Sequence, residues 1–451
     1  MNSDMSHHSH ARGRAPRDQD RTPAPLSVAV IGSGIAGLTV ASELDSRHRV
    51  TVYEANPCLG GHTHTVDVDD GGRSVAVDTG FIVYNERTYP NFVSLLQRLG
   101  VATQPSDMSF GLQHDVTGLE YNGTDLNGLF AQRRNLLRPA FLGMIADILR
   151  FNRAAQRRLT TLEEHTTLGD WLAAGRYGKA FVEHYVVPMG RSIWSTDEQA
   201  LLGFPARFFI DFFARHGLLN VDDRPQWRTV RGGSREYVRA LTAGMRARQC
   251  TGTAVESVRR LPDAVVVRTR RGVVERHDAV VLATHADSAL KLLADPSAAE
   301  TEILGPFPFQ ANDVVLHTDT RLLARAPRAR AAWNYYVRAT PHAGCAITYD
   351  MNVLQSLRTR RRYLVSLNLP DRIDPSQVLA RFSYAHPLYT PAGVAAQRRH
   401  AEISGVNRTF YCGAYWRYGF HEDGVVSGLA ALTQFERWRQ AHAQRALSRV
   451  G

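Results

Sequence analysis

The chain has 451 residues, 44% of them hydrophobic and 22% charged, with a formal net charge of +11. That length allows two or three domains with ample buried core and no need of disulfide or metal staples, and the composition excludes a globally disordered chain. Nearly all the positive charge is arginine, since Lys179 and Lys291 are the only lysines, and no basic arm, zinc pattern or RNA-binding motif accompanies it, so nucleic acid is not an expected partner.

Residues 1–25 are polar and rich in Arg, His and Pro, with no apolar stretch of a signal peptide, and are expected to form a disordered tail. His7, His8 and His10 lie there without the buried support of a working metal site, and no metal is expected. Cys58, Cys250, Cys345 and Cys412 are far apart and form no C-x-x-C pair, which fits a reducing cytoplasm. No run reaches the roughly 18 apolar residues of a spanning helix. The densest arginine groups are Arg358, Arg360, Arg361 and Arg362, and Arg321, Arg325, Arg328 and Arg330. They read as solvated surface or as a patch for a peripheral contact with an anionic membrane.

Order is expected from Leu26. LSVAVI (residues 26–31) reads as a buried parallel strand, and it feeds directly into GSGIAG: Gly32, Ser33, Gly34, Ile35, Ala36, Gly37. Leu38 and Ala41 then recur at helical spacing, and RVTVYE (49–54) resumes strand character. A lone G-x-G-x-x-G is a weak signal, but here it follows a strand, opens a helix and is succeeded by Glu54, 22 residues after Gly32. That context marks a dinucleotide-binding unit. Gly32 permits the tight turn, Gly34 lets a pyrophosphate approach the helix N-terminus, and Gly37 allows close helix packing. Glu54 would accept hydrogen bonds from ribose hydroxyls and repel a 2'-phosphate.

After Glu54 come Gly60 and Gly61, and then VAVDTGFIVYN (75–85). In Glu54, Gly60, Gly61, Asp78 and Gly80 the sequence resembles the flavin amine oxidase superfamily. The resemblance implies FAD as cofactor and an α/β fold: a Rossmann-like FAD-binding domain of the glutathione-reductase type, interleaved with an α+β substrate domain. It implies cofactor contacts from the turn at Gly32–Gly37, from Glu54, Gly60 and Gly61, from His62, where most members have arginine, and from Gly80 and Phe81. RGGSREYVRAL (231–241) resembles the family's second glycine turn, and TAVESV (253–258) the strand whose Val255 would meet the adenine. RTFYCGAYWRYGFHEDGVVSGLAAL (408–432) resembles the terminal motif, with Gly413, Asp423 and Gly424 as cofactor contacts and Ala414 where an acid is usual. THADSALKLL, VVLHTDTRLL, AWNYYV and GFHEDG resemble a bacterial subgroup whose members commonly accompany cyclopropane fatty acid synthase-like methyltransferases, which implies a lipid methyltransferase as partner.

In a flavoenzyme the protein places a substrate C–H against the ring and stabilises charge developing on it. A helix expected to begin near Val425 would aim its first N–H groups there, with Asp423 as cap or ribityl ligand and Gly424 allowing close approach. Trp416, Tyr418 and Phe420 are the candidates to flank the substrate, or else they pack a domain interface. The counterpart of the amine-caging aromatic of amine oxidases is Phe420 or His421. His421 and His62 are the candidate acid/base groups, or else serve packing and flavin hydrogen bonding. Tyr84, beside Asn85, could reach the same pocket. Neither Lys179 nor Lys291 sits in a motif matching the lysine of several amine oxidases, so rapid oxidation by oxygen is not implied.

Residues 106–220 are mostly helical in pattern, and Phe208 and Phe212 share a stripe with Phe204. That stripe is either core, the wall of an apolar substrate tunnel, or a surface helix dipping into a membrane. Strand-like runs return between 300 and 400. The expected division is 26–105, 225–295 and 400–445 for the FAD-binding domain, and 106–224 and 296–399 for the substrate domain. The expected function is a FAD-dependent oxidoreductase taking a hydride from an apolar, lipid-like substrate. The alternatives are an amine oxidase proper, a non-redox flavin mutase or isomerase, and an FAD-holding accessory of a lipid-modifying enzyme.

Overall fold

In a computed structural model, residues 24–447 are described except 159, 160, 164, 221 and 340–343. The expected tail, with His7, His8 and His10, lies outside the described residues apart from residues 24 and 25. Ser27–Ile31 is apolar on both faces because it is the middle strand of a five-stranded parallel sheet. The sheet order is Arg248–Cys250, Arg49–Tyr53, Ser27–Ile31, Ala279–Leu282, Thr409–Tyr411. Val28 and Val30 face a core shared with Val40 of helix Ile35–Leu44 and Phe435 of helix His421–Leu447. Ala29 and Ile31 point the other way, onto Val258, Val265 and Val267 of an antiparallel meander formed by Val255–Arg260, Val265–Thr269 and Val274–His277.

The meander is tied down by a buried ion pair. Arg260 donates to both oxygens of Glu300, at 2.8 and 2.9 Å, and Glu300 also accepts from Tyr411 Oη at 2.6 Å and Ser297 N at 2.8 Å. With every lone-pair direction used, the cost of burying the two charges is offset, whereas removing either partner alone would cost about 3–5 kcal/mol.

A second, seven-stranded sheet forms a roof, in the order Val378–Pro387, Phe309–His317, Leu364–Leu367, Ile347–Asp350, Trp333–Val337, Phe110–His114, Glu120–Asn122. Trp333–Val337 pairs parallel with Phe110–His114. The region expected to be mostly helical thus begins with two strands, whose hydrogen bonds are completed partly by a segment far along the chain that local patterning does not reveal. From Leu126 to Arg215 helices do dominate, including Pro139–Arg158, Val187–Trp194 and Ala206–Arg215. The phenylalanine stripe faces inward: Phe204, Phe209 and Phe213 are fully buried, and Trp194 sits among Phe204, Phe208, Phe209 and Phe212. This helix does not dip into a membrane, because its apolar face is already spent on core.

The two arginine groups are engaged only in part by the chain's own acids. Asp70 accepts from the backbone N–H of Arg360 and Arg361, Arg362 pairs with Asp350 at 2.7 Å, and Arg321 pairs with Asp319 at 2.6 Å. No helix among the described residues is long and apolar enough to cross a membrane.

Candidate active site

One cavity of about 840 Å³ runs from the glycine turn, beneath the roof sheet, into the helical region. At the first end the backbone shapes it. Gly32 has φ +101°, and a Cβ there would lie 2.7 Å from the carbonyl oxygen of Ala283; a Cβ on Gly37 would lie 2.1 Å from that of Gly32. Gly34, at the N-cap of helix Ile35–Leu44, has nothing within 4 Å of its would-be Cβ, so the helix N-terminus is open to the cavity. That is the approach a pyrophosphate requires. Glu54 lines the cavity beside the turn. Its Oε2 accepts from Ser33 N at 3.1 Å and Ser33 Oγ at 2.5 Å, and its Oε1 from Asn56 N at 2.9 Å, which fixes the carboxylate at the end of its strand.

Ser33, Ile35, Ala36, Gly60, Gly61, His62, Gly80, Phe81, Val255 and Gly413 all line the same cavity, whereas Gly37 supports the turn from behind. Gly80 is obligatory because a Cβ would meet the His62 carbonyl at 2.0 Å, and Phe81 N donates to that carbonyl at 2.8 Å. Asp78 does not reach the cavity. Its carboxylate accepts from Thr65 Oγ1, Ser234 N, Ser234 Oγ and Gln355 Nε2, tying this strand to the second glycine turn. Burial pushes Asp78 up to about 6, against the pull of those bonds from Thr65 and Ser234. Nearby, Cys58 is the only one of the four thiols that is exposed.

His421 stacks on Phe81 with ring centroids 3.5 Å apart and planes 10° from parallel. Its Nε2 lies 3.0 Å from Thr63 Oγ1 and 2.9 Å from Tyr237 Oη, and those two hydroxyls are 2.5 Å apart. Burial, with His62 adding repulsion, lowers His421 to about 3. It is a neutral imidazole locked into a wall, which suits positioning better than proton transfer. His62 is likewise lowered to about 3 by burial and by His386 and His285. Its ring lies 5.5 Å from that of His386, 5.4 Å from Tyr384 and 6.0 Å from His285, and its Nε2 is buried without a hydrogen-bond partner.

The cavity's far half is aromatic and aliphatic. Phe212, Phe420 and Tyr418 line it, with Phe212 and Phe420 stacked at 5.0 Å. Several expected site residues lie elsewhere. Tyr84 is buried in the core between Tyr89 and Phe92, because alternation along its strand turns it away from the cavity that Val83 lines. Trp416 packs against His400 and Phe307 in the core beneath the five-stranded sheet. Phe208 lies behind the wall, stacked on Tyr389 at 4.7 Å.

Asp423 and Gly424 do not line the cavity either. The helix starts at His421, not near Val425. Asp423 caps it by accepting from Phe420 N at 3.0 Å, and burial raises its carboxyl to about 7. Gly424 lets the helix approach Ile35, where a Cβ would come within 2.6 Å.

Sequence reasoning missed His285, His386 and Tyr384, which complete the histidine cluster, and Tyr185, Met189 and Trp333 in the far wall. Two of them lie in runs the sequence singles out: His285 in THADSALKLL, after the strand Ala279–Leu282, and Trp333 in AWNYYV. Lys291 also lines the cavity, paired with Asp287 at 2.9 Å.

Comparison with protein families matches residues 35–350 to the family described as flavin containing amine oxidoreductase. The chain belongs to this family. FAD is the cofactor that family membership implies, and the residues fit it: an open helix N-terminus, a fixed carboxylate beside the glycine turn, a glycine-walled cavity and an orphaned buried imidazole nitrogen, His62 Nε2. A Mycobacterium tuberculosis protein assigned as a flavin-containing monoamine oxidase is 27% identical over 276 residues, 58% of this chain and 58% of that protein. A carotenoid phi-ring synthase of Streptomyces griseus is 26% identical over 329 residues, 65% of this chain and 60% of the synthase. The chain therefore matches less than two thirds of either curated relative. The crystal structure of a CLA-producing fatty acid isomerase from P. acnes superimposes with a TM-score of 0.66 over 91% of this chain and 98% of that one, at 16% identity, a likeness of fold alone.

Proposed function

We propose that this family member is a FAD-dependent oxidoreductase that removes a hydride from a neutral, lipid-like substrate. One observation carries the reading: Glu54, at the ribose end, is the only carboxylate among the residues lining the cavity, whose far half is walled by Phe212, Tyr185, Met189, Ile193, Phe420 and Trp333. An ammonium group entering that half would find no anion to pair with, and desolvating it unpaired would be costly. An acyl or isoprenoid chain would instead exchange water for aromatic surface at about 25 cal/mol per Å².

The chemistry that bound FAD supplies is acceptance of the hydride. The chain's own part is binding and placement. The Gly32–Gly37 turn and Glu54 would hold the nucleotide, and His62, His285 and His386 offer neutral N–H donors beside it. The Phe81–His421 stack, fixed by Thr63 and Tyr237, forms a rigid floor. Phe212, Phe420 and Tyr418 exclude water from the far half and orient the chain, and Tyr418 is itself held by a hydrogen bond to Asp211. Hydride loss leaves a cationic carbon that closes to an alkene by releasing a proton from the neighbouring carbon, and that proton is acidic enough for water or one of the neutral site imidazoles to accept, so no strong protein base is needed.

The test is anaerobic titration of the FAD-loaded protein with acyl chains, isoprenoids and amines, following flavin absorbance. Bleaching by an apolar compound and not by amines is expected. Bleaching by amines alone would overturn the reading, and turnover only after prior reduction of the flavin would replace it with an isomerase.

A further inference from the structure

The outward face of helix Pro139–Arg158 and the turns before it carry an unusual surface. Leu137 is 87% exposed and Leu126 73%, and Leu136, Leu142 and Leu149 are exposed as well. Pro139, Ala140, Gly143 and Ala146, which lie among the last four of these leucines in sequence, are exposed too. Leu142, Ala146, Leu149 and Arg153 follow one another at helical spacing, so the first half of the outer stripe is apolar and the second basic, through Arg150, Arg153, Arg157 and Arg158. A concentration of exposed apolar residues of this kind marks an interaction site.

The charge around it is one-sided. Residues 126–158 hold seven arginines and one carboxylate, Asp147. Asp147 is occupied by Arg150 at 2.8 Å and by Gly178 N at 2.7 Å. Arg133 and Arg134 donate to the carbonyls of Phe130 and Gly118, and among the described residues neither they nor Arg138, Arg153, Arg157 and Arg158 form an ion pair. Some exposed arginines elsewhere do meet acids, as Arg399 meets Glu302 and Arg276 meets Asp263.

The same face borders the apolar end of the cavity. Two exposed residues line that end. Gly123 stands three residues before Leu126, and Arg224 donates to Asn220, whose Oδ1 accepts from Gln156 of the helix at 2.9 Å. Tyr121, on the cavity wall, packs against Phe141 of the helix with ring centroids 5.7 Å apart.

We propose that this face docks the protein on an anionic phospholipid surface, the leucines entering the acyl boundary and the arginines meeting lipid phosphates, so that the cavity's apolar end opens beside the bilayer. Charge complementarity selects this occupant. A second copy of the chain would set the same arginines against each other, whereas an anionic bilayer offers phosphates for the basic half and hydrocarbon for the apolar half. The docking stands on the surface alone; only the idea that substrate is drawn from the bilayer rests on the function proposed above.

The test is co-sedimentation of the FAD-loaded protein with vesicles of phosphatidylcholine, alone or mixed with phosphatidylglycerol. Binding to the mixed vesicles, weakened by salt and absent on phosphatidylcholine alone, is expected. The double variant Leu136→Asp/Leu137→Asp and the triple variant Arg153→Gln/Arg157→Gln/Arg158→Gln should each bind at least about tenfold more weakly, at roughly fivefold per arginine for the latter, while keeping the flavin spectrum that reports an intact fold. Wild-type protein that stays in solution, variants that sediment as wild type does, or a dimer that the aspartate variant dissociates would each overturn the docking. Bleaching by a soluble short-chain substrate is measured without vesicles, so failure of the proposed reaction is read separately from failure to dock.

Discussion

The two ends of the cavity are built on different principles. At the proposed nucleotide end the surface belongs to the backbone: an open helix N-terminus, glycines where a Cβ would strike a carbonyl, and one carboxylate fixed by N–H donors. At the far end the contacts belong to side chains from helices and strands scattered over the chain. A backbone-built site tolerates almost no local change and is insensitive to what surrounds it. A side-chain-built site tolerates exchange of one ring for another and is sensitive to the packing of every layer behind it.

That contrast can be broken in a definite order. Gly37→Val should have the largest effect, because its Cβ would need space already held by the Gly32 carbonyl. A penalty above about 3 kcal/mol is expected, or at least about 100-fold in FAD retention, read as flavin absorbance per protein after gel filtration. Glu54→Ala comes next. It removes the proposed ribose acceptor and leaves Ser33 N and Asn56 N unpaired, for about 10- to 100-fold weaker FAD binding by fluorescence titration. At the other end Phe212→Ala should lower thermal stability by about 3 kcal/mol and raise the concentration of apolar compound needed to bleach the flavin, with flavin content unchanged. Loss of flavin in that variant would mean the two ends are not independent.

The smallest effect is a pH dependence. His62, His216, His317, His386 and His421 are buried with values lowered to about 3 or 4. The unfolded chain takes up protons at these groups as pH falls through about 6.5 and the folded chain does not. Their stabilisation is therefore present above that pH and lost below it. Asp78 and Asp423, raised to about 6 and 7, act in the opposite sense, holding protons in the folded state that the unfolded chain releases. Five histidines outweigh two acids, so the melting temperature should fall by several degrees between pH 7 and pH 5 in scanning calorimetry; a rise would mean the acids dominate.

The same contrast explains what the sequence disclosed. The turn from Gly32 to Glu54 is legible because its chemistry is local: spacing, a strand before and a helix after specify a backbone shape whatever the tertiary context. Gly80 and Val255 were legible only by resemblance. The place of His386, Tyr384 and Trp333 in the cavity was not legible, because strand pairing across the roof sheet brings them there. Trp416 and Tyr84 misled for the converse reason: they stand next to site residues in sequence, but the local backbone turns them into the core. The late helix start was misjudged at Gly424, a residue that ordinarily weakens a helix and here makes room for Ile35.

The exposed thiol at Cys58, two residues before Gly60 on the loop beside the nucleotide turn, offers a practical handle. Cys345 and Cys412 are buried and Cys250 is half-covered, so a maleimide dye would attach first at the edge of the cofactor cavity. Its emission would report capture and release of the nucleotide as a signal separate from the flavin's own absorbance, turning an accident of cysteine placement into a clock for cofactor exchange.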